Sequence, residues 1–353
     1  MINMKKINFI LPSFPLRPGG GHKIMYEYAN RLAKEGYDIC IYHVFTILNV
    51  KYKLHWLKRI YIHLFYPKSV PAWFSFEKNV KCQHVELLTD ENIRDADISV
   101  STMWATAVDM SKLSKNKGLK INLIQDYETW LGTEQQVHDS YKLPMKHVVI
   151  SDYLADIVEN VTSKRPEVLY NAIDKTAFYI KKNIEDRNPY SVAMLYSTEE
   201  RKGTEFGMAA LRECKKTVPE LSVELFGVYP KPKGLEDWIH YTQKPNDLMG
   251  LYNSVAIYFT PSNKEGWALP PAEALSCGCA LVCTNIGGHE AYAKNEETAL
   301  MVEPRNVEDM VGKLSRLLRD NDYRKSLARR GNLYVQNFTW EIAVNKMKNI
   351  MNI

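Results

Sequence analysis

Short apolar runs alternate with longer stretches of helical spacing along almost the whole chain, and the order strand, loop, helix recurs often enough to predict a parallel α/β protein. Residues 6–11, Lys-Ile-Asn-Phe-Ile-Leu, read as a strand. A Pro- and Gly-rich loop follows over 12–21, then a helix over 24–33 that Gly36 ends, then a second strand over 38–44. Two parallel strands joined through a helix require a right-handed crossover. Further strands are predicted at 98–101, 121–125 and 147–150, which makes the first lobe a doubly wound sheet. An Arg-Pro step and a short apolar run near 164–171 mark a hinge, after which strands recur at 192–195, 221–226, 239–241, 255–260, 280–283 and 299–302. Residues 307–318 and 323–338 close this second lobe as helices, and 340–353 forms a last amphipathic one. The domain division is 1–170 and 171–339.

Composition narrows the classes. A chain of 353 residues suits two domains of ordinary size. With 45% apolar and 25% charged residues it is globular rather than disordered or fibrous. Six cysteines make no dense framework, and Cys277, Cys279 and Cys283 fall at a helix end and in the strand after it, as buried thiols do. The first apolar run is cut by Pro12, too early for a signal peptide, and no run approaches the roughly 20 residues of a membrane span. The expectation is a cytoplasmic protein. Neither a Gly-x-Ser-x-Gly elbow nor a His-Glu-x-x-His pair occurs, which removes the simplest hydrolase and metalloprotease readings.

The net charge of +5 is unevenly spread, since no acidic residue lies between Asp38 and Glu77. There Lys51, Lys53, Lys58, Arg59 and Lys68 are interleaved with Trp56, Leu57, Ile60, Ile62, Leu64, Phe65, Tyr66, Trp73 and Phe74. Two readings stand: an amphipathic helix packed on the first lobe with solvated lysines, or a surface lying on an anionic membrane, where each cation contributes about 1 kcal/mol. Nucleic acid is not implied, because no recognition helix, zinc site or aromatic sheet motif accompanies the charge.

The most informative stretch is Glu265-Gly-Trp-Ala-Leu-Pro-Pro-Ala-Glu273, two carboxylates bracketing a turn and the start of a helix. Pro271 fits a helix's first turn, which would also hold Glu273 and bring the N–H groups of Trp267, Ala268 and Leu269 to the helix N-terminus, where anions are favoured by roughly 0.3–1 kcal/mol. A carboxylate there is stabilised by the dipole with or without a ligand. Together with Ala274-Leu-Ser-Cys-Gly278 and Gly287-Gly-His-Glu290, the stretch resembles the signature of family-4 retaining glycosyltransferases of the GT-B fold.

That resemblance spans nearly the whole chain and is strongest over 252–304. It implies two Rossmann-like doubly wound lobes facing each other across a cleft, with the last helix crossing back to the first lobe. It implies that Glu265 lies by the donor sugar, Glu273 holds the ribose, and the amides of Gly266, Trp267, Ala268 and Leu269 bind diphosphate. Gly20 and Gly21, within Gly19-Gly-Gly21, would face the donor phosphates, although a structural glycine cluster reads equally from the residues. In Ser197-Thr-Glu-Glu-Arg-Lys-Gly203, Lys202 and then Arg201 would neutralise the leaving diphosphate; the family's arginine five positions before the lysine is replaced by Ser197. Gln125-Asp-Tyr-Glu128 resembles the form found in enzymes of bacterial surface polysaccharides, including rhamnosyltransferases. It makes Asp126 a candidate to orient or deprotonate the acceptor, with helix capping as the alternative. Leu169-Tyr-Asn-Ala-Ile-Asp174 resembles the family's hinge with Ala172 in place of glycine. Asp95-Ala-Asp97 lies at a strand edge with no third ligand nearby, so no divalent metal is implied, and no cofactor either, the nucleoside diphosphate sugar being a substrate.

The resemblance thus implies a hexosyltransferase acting on a glycan or lipid-linked acceptor at the inner face of the membrane. An epimerase of sugar nucleotides on the same fold and a non-catalytic subunit are the alternatives.

Overall fold

The computed structural model describes residues 4–50 and 52–353, so Lys51 and the first three residues lie outside it. The chain divides into two compact units, Met1–Tyr170 with Glu341–Ile353, and Asn171–Trp340.

In unit 1 the chain runs β1 (Lys6–Pro12), α1 (Gly20–Lys34), β2 (Asp38–Val44), the short pair β3 (Thr46–Ile47) and β4 (Tyr52–Lys53), α2 (Trp56–Phe65), β5 (Lys81–Val85), β6 (Ile98–Thr102), α3 (Trp104–Ser111), β7 (Leu119–Ile124), α4 (Glu134–Ser140), β8 (Lys146–Val149), α5 (Asp152–Thr162) and β9 (Glu167–Val168). Seven parallel strands form one sheet in the order β5-β2-β1-β6-β7-β8-β9. Strands covered on both faces carry apolar side chains at successive positions, as Phe9, Ile10 and Leu11 do, all fully buried. In α1 the buried side chains Ile24, Met25, Tyr28, Ala29 and Leu32 form the stripe that meets the sheet. Gly20 and Gly21 are the first residues of this helix and Gly19 its N-cap, so the predicted loop ends two residues earlier than the pattern suggested.

Unit 2 repeats the plan with β10 (Ser191–Leu195), α6 (Thr204–Thr217), β11 (Ser222–Gly227), β12 (Ile239–Gln243), α7 (Leu248–Ser254), β13 (Ile257–Thr260), α8 (Leu269–Ser276), β14 (Ala280–Thr284), β15 (Leu300–Val302), α9 (Val307–Arg319) and α10 (Asn321–Val335); α11 (Trp340–Met351) then leads the chain back into unit 1. Its six parallel strands are ordered β12-β11-β10-β13-β14-β15. Chain order reverses direction between β10 and β13, and open α/β sheets bind ligands outside the carboxyl ends of strands at such a point. Buried Arg187 donates to the carbonyls of Lys182, Val255 and Cys277, which ties the end of α8 to the segment before β13.

One buried polar chain in unit 1 can be assigned completely. His84 Nε2 lies 3.0 Å from the Tyr66 carbonyl and must carry its proton, so His84 Nδ1 accepts from the Ser69 hydroxyl at 2.8 Å. Ser69 Oγ then accepts from His43 Nδ1 at 2.7 Å, which leaves His43 Nε2 to accept from the Tyr26 hydroxyl at 2.6 Å. Every donor and acceptor is matched while both rings are neutral. Burial pushes both histidines below their ordinary pKa.

Two consequences follow for stability. Ser69→Ala leaves both rings short of a partner and is expected to cost about 1–3 kcal/mol in denaturant melts; a loss below half of that contradicts the assignment. Because the folded-state pKa of each histidine is lowered, the network's contribution is complete above the unfolded value of about 6.5 and is lost as pH falls below it. Melts between pH 7.5 and 5.5 should show stability falling, and a flat profile would contradict this.

Candidate functional site

Three loops at the carboxyl ends of adjacent unit 2 strands are drawn together. After β10 the chain forms a short turn at Glu200–Lys202, and Gly203 follows with φ +61. A Cβ on Gly203 would stand 2.1 Å from the Pro261 carbonyl oxygen, so only glycine allows this loop to touch the one after β13. Asn263 N donates to Arg201 O at 2.7 Å and its side-chain amide to Glu200 O at 3.2 Å. The loop after β14 closes from the other side: a Cβ on Gly288 would lie 2.2 Å from the Glu265 carbonyl oxygen.

Glu265 sits at the junction and is buried. Its Oε1 accepts from Lys202 Nζ at 2.6 Å and from Ser262 Oγ at 2.9 Å, and Oε2 lies 3.3 Å from an Arg201 guanidinium nitrogen. Burial alone would push this carboxyl up; the Lys202 and Arg201 charges outweigh it, and the group is held below its ordinary value. Arg201 is shared with Glu199, whose Oε2 accepts from its Nε at 2.8 Å, so the two cations are matched by two carboxylates. A recess opens beside this cluster, lined by Leu195, Lys202, Tyr258, Thr260, Glu265 and Ala268 among others.

The chain enters α8 with strain and unspent donors. Ala268 has φ +50, a region that a residue with a side chain rarely adopts. Its carbonyl is pinned by the Tyr292 hydroxyl at 2.9 Å, and the Trp267 ring is packed between Tyr292 and Phe338 at centroid distances of 4.9 and 5.6 Å. The N–H groups of Gly266, Trp267, Ala268 and Leu269 have no backbone acceptor among the described residues. Four orphan donors at the start of a helix favour an anion.

Glu273 is placed differently from expectation. It is the fifth residue of α8, past the first turn, because the helix begins at Leu269 rather than nearer Pro271. It is buried, 3.5 Å from the Tyr252 hydroxyl, and does not line the recess that holds Glu265. Tyr258 feels both carboxylates; after burial itself, their charges help to raise its hydroxyl pKa. Ser197 is buried and bound to Thr204, whose hydroxyl donates to the Ser197 carbonyl at 2.8 Å.

His289 carries a signal that the sequence reading passed over. It is fully buried, its Nδ1 lies 2.9 Å from the Thr284 carbonyl and so carries the proton, and Nε2 has no hydrogen-bond partner among the described residues. Burial lowers its pKa while the neighbouring Glu265 and Lys202 act in opposite senses. Its position after the Gly287-Gly288 pair is the sequence feature that could have marked it.

In unit 1, Gly21, Thr102 and Gln125 meet at the carboxyl ends of the strands: Gln125 Nε2 donates to the Thr102 hydroxyl at 2.8 Å and to the Gly21 carbonyl at 3.1 Å. Nothing stands within 4 Å of a Cβ built on Gly19, and one on Gly21 meets the Gln125 side chain at ordinary contact distance. Asp126 accepts from the N–H of Tyr127 at 2.9 Å. The helix-capping carboxylate is instead Glu128, buried, taking the N–H of Trp104 at 2.7 Å where α3 begins. Burial pushes Glu128 up to about 8, with the Asp126 charge adding and the Trp104 N–H opposing. Asp95 pairs with Lys117 at 2.8 Å and Asp97 takes the N–H of Lys6, so both serve the amino-terminal ends of the strands.

Residues 175–333 match the family described as Glycosyl transferases group 1. An uncharacterized glycosyltransferase of Haemophilus influenzae is 23% identical over 99% of this chain and 100% of its own length. O-antigen chain mannosyltransferase B of Escherichia coli is 31% identical over 30% of this chain and 28% of its own. Among solved structures, sucrose-phosphate synthase from Thermosynechococcus elongatus superposes with a TM-score of 0.75 at 14% identity, covering 99% of this chain and 98% of that one. Anabaena HepE in complex with UDP and glucose gives 0.74 at 12%, covering 99% of each. At these identities the likeness shows the fold: the chain, with one parallel sheet in each unit, has the GT-B fold.

The packing of the three loops is directly testable. Gly288→Ala should cost about 1–3 kcal/mol by overpacking against the Glu265 backbone, whereas Gly19→Ala, open on every side, should change stability by no more than about 0.5 kcal/mol. Equal effects in chemical denaturation would contradict the described approach of the loops.

Proposed function

We propose that this group 1 glycosyltransferase of the GT-B fold moves a hexose from a nucleoside diphosphate to a hydroxyl of a glycan or lipid-linked acceptor, with retention at the anomeric carbon. The observation that carries the reading is the Lys202–Glu265–Arg201 cluster standing in the chain beside the unsatisfied amides of residues 266–269, at the strand-order reversal of unit 2. A diphosphate fits it: the amides, with Lys202 and Arg201, would hold the phosphates, while Glu265 and the Nε2 of His289 would accept from sugar hydroxyls.

In the transfer, the bond between the anomeric carbon and the diphosphate oxygen breaks with its electron pair leaving on the diphosphate. Lys202, Arg201 and the amides stabilise that charge as it develops, where donors fixed in advance are worth most. The acceptor oxygen bonds to the anomeric carbon from the leaving group's own face, and its proton passes to Asp126, to which we assign the acceptor hydroxyl. Glu273 is assigned the ribose. No metal is required, since cations and orphan amides supply the electrostatics. The relatives support the classes: an O-antigen chain mannosyltransferase for a surface polysaccharide acceptor, rhamnosyl transfer being one variant, and a neighbour bound to UDP and glucose for the donor. We place the reaction at the inner face of the cell membrane, where lipid-linked acceptors are presented.

A thermal-shift screen against nucleoside diphosphates and their sugars identifies the donor, because a ligand of the native state raises the midpoint. With that donor, Glu265→Gln should lower kcat roughly 100-fold in protein that remains folded but melts lower, since its cations lose their partner, and Glu273→Ala should weaken nucleotide binding about tenfold with little change in kcat. Equal loss of stability in both variants would point to purely structural carboxylates. Activity should survive EDTA, and NMR of the first product should show the donor's anomeric configuration; a new sugar nucleotide formed without acceptor would overturn the transferase reading in favour of an epimerase.

A further inference from the structure

Helix α2 is turned inside out. Trp56, Leu57, Ile60, Tyr61, Leu64 and Phe65 are all exposed, Trp56 by 61%, Leu64 by 70% and Phe65 by 66%. At 3.6 residues per turn, positions 56, 60 and 64 and positions 57, 61 and 65 form two adjacent rows, an apolar arc about 180° wide. The opposite side of the helix is what holds it to unit 1. Ile62 is fully buried in a cluster with Phe14, Phe45 and Leu54. Arg59 is ion-paired with Glu86 and lies over the Phe45 ring. Helices of soluble domains present the reverse arrangement, and contiguous apolar surface of this kind marks an interaction site.

The surrounding charge says what covers it. No acidic residue occurs between Asp38 and Glu77, and Glu86, the acid nearest the helix in contact, is neutralised by Arg59. Lys58 stands on the helix, and Lys53 and Lys68 lie just before and after it, all three exposed. Trp73 and Phe74 do not belong to this surface: the Trp73 indole donates to the Pro15 carbonyl at 2.8 Å and both rings pack on Tyr26. What remains is a ten-residue helix with an outward apolar arc and a cationic rim. At about 15 Å it is too short to span a bilayer, and no described helix is long and apolar enough to cross one. Its composition suits a helix lying in the plane of an anionic interface, with Trp56 at headgroup depth and the lysines against lipid phosphates.

We propose that the exposed face of α2 docks unit 1 onto a bilayer containing anionic lipid. The docking needs no sugar nucleotide and stands apart from the transfer chemistry; only its use, bringing the enzyme to a lipid-linked acceptor, rests on the proposed function. Lys53, Lys58 and Lys68 for charge, and Leu64 and Phe65 for insertion, separate the two contributions. Arg59 is left unchanged because it is part of the fold.

The test uses the full chain and sedimentation with phosphatidylcholine vesicles, with and without phosphatidylglycerol. The protein should pellet with the anionic vesicles alone, and both Leu64→Gln/Phe65→Gln and Lys58→Glu/Lys68→Glu should lower partitioning about tenfold or more while melting like the wild type. Brominated lipid should quench a part of the tryptophan emission that Trp56→Phe removes. Failure to pellet with anionic vesicles, or equal partitioning of the Leu64→Gln/Phe65→Gln protein, overturns the proposal. So does a dimer in analytical ultracentrifugation that this variant dissociates, which would assign the face to a second copy of the chain. Vesicle binding by a protein that fails to transfer sugar would overturn the proposed function and leave the docking intact.

Discussion

A buried carboxylate held between two cations organises the second unit. Glu265 cannot be ionised inside protein without compensation, and Lys202, Arg201 and the Ser262 hydroxyl supply it. Those partners come from two loops that are adjacent only because β10 and β13 are neighbours at the reversal of strand order. The glycines at 203 and 288 exist to let the backbones close around that carboxylate. Its removal would leave two positive groups facing each other. Beside it stand four amides with no backbone acceptor among the described residues, and so the same interaction that assembles the loops sets cations and donors where an anion can bind.

Much of this was legible in the chain. Alternation of apolar runs and helical stretches placed the second strand at the residues where β2 lies, and most unit 2 strands within a residue or two. β5 escaped because Lys-Cys-Gln-His-Val at a sheet edge carries too weak an apolar signal to distinguish it from loop. The start of α1 at Gly20 escaped for a related reason: glycine is a poor helix former, and packing on the sheet overrides that preference. The motif from 265 to 273 identified the loop and helix, but not that α8 begins at Leu269, which puts Glu273 past the first turn and beside the Tyr252 hydroxyl.

Features that depend on burial were beyond sequence. Nothing in Gln125-Asp-Tyr-Glu128 tells which carboxylate caps a helix; the structure gives that task to Glu128 and leaves Asp126 on the loop after β7. The unpartnered nitrogen of His289 appears only once the ring is enclosed. The basic, aromatic segment after Asp38 showed its composition plainly, yet its residues divide by direction. Ile62 and Arg59 point inward, Trp73 and Phe74 fold back onto unit 1, and six apolar side chains of α2 face out.

The central claim, that the loops around Glu265 receive a nucleoside diphosphate, is tested most directly by hydrogen–deuterium exchange at saturating UDP and, separately, GDP. The account predicts that at least one of them slows exchange at residues 197–205 and 262–275, with the amides of 266–269 most protected. Absence of binding by either nucleotide, or binding that protects other segments and leaves these unchanged, would contradict it.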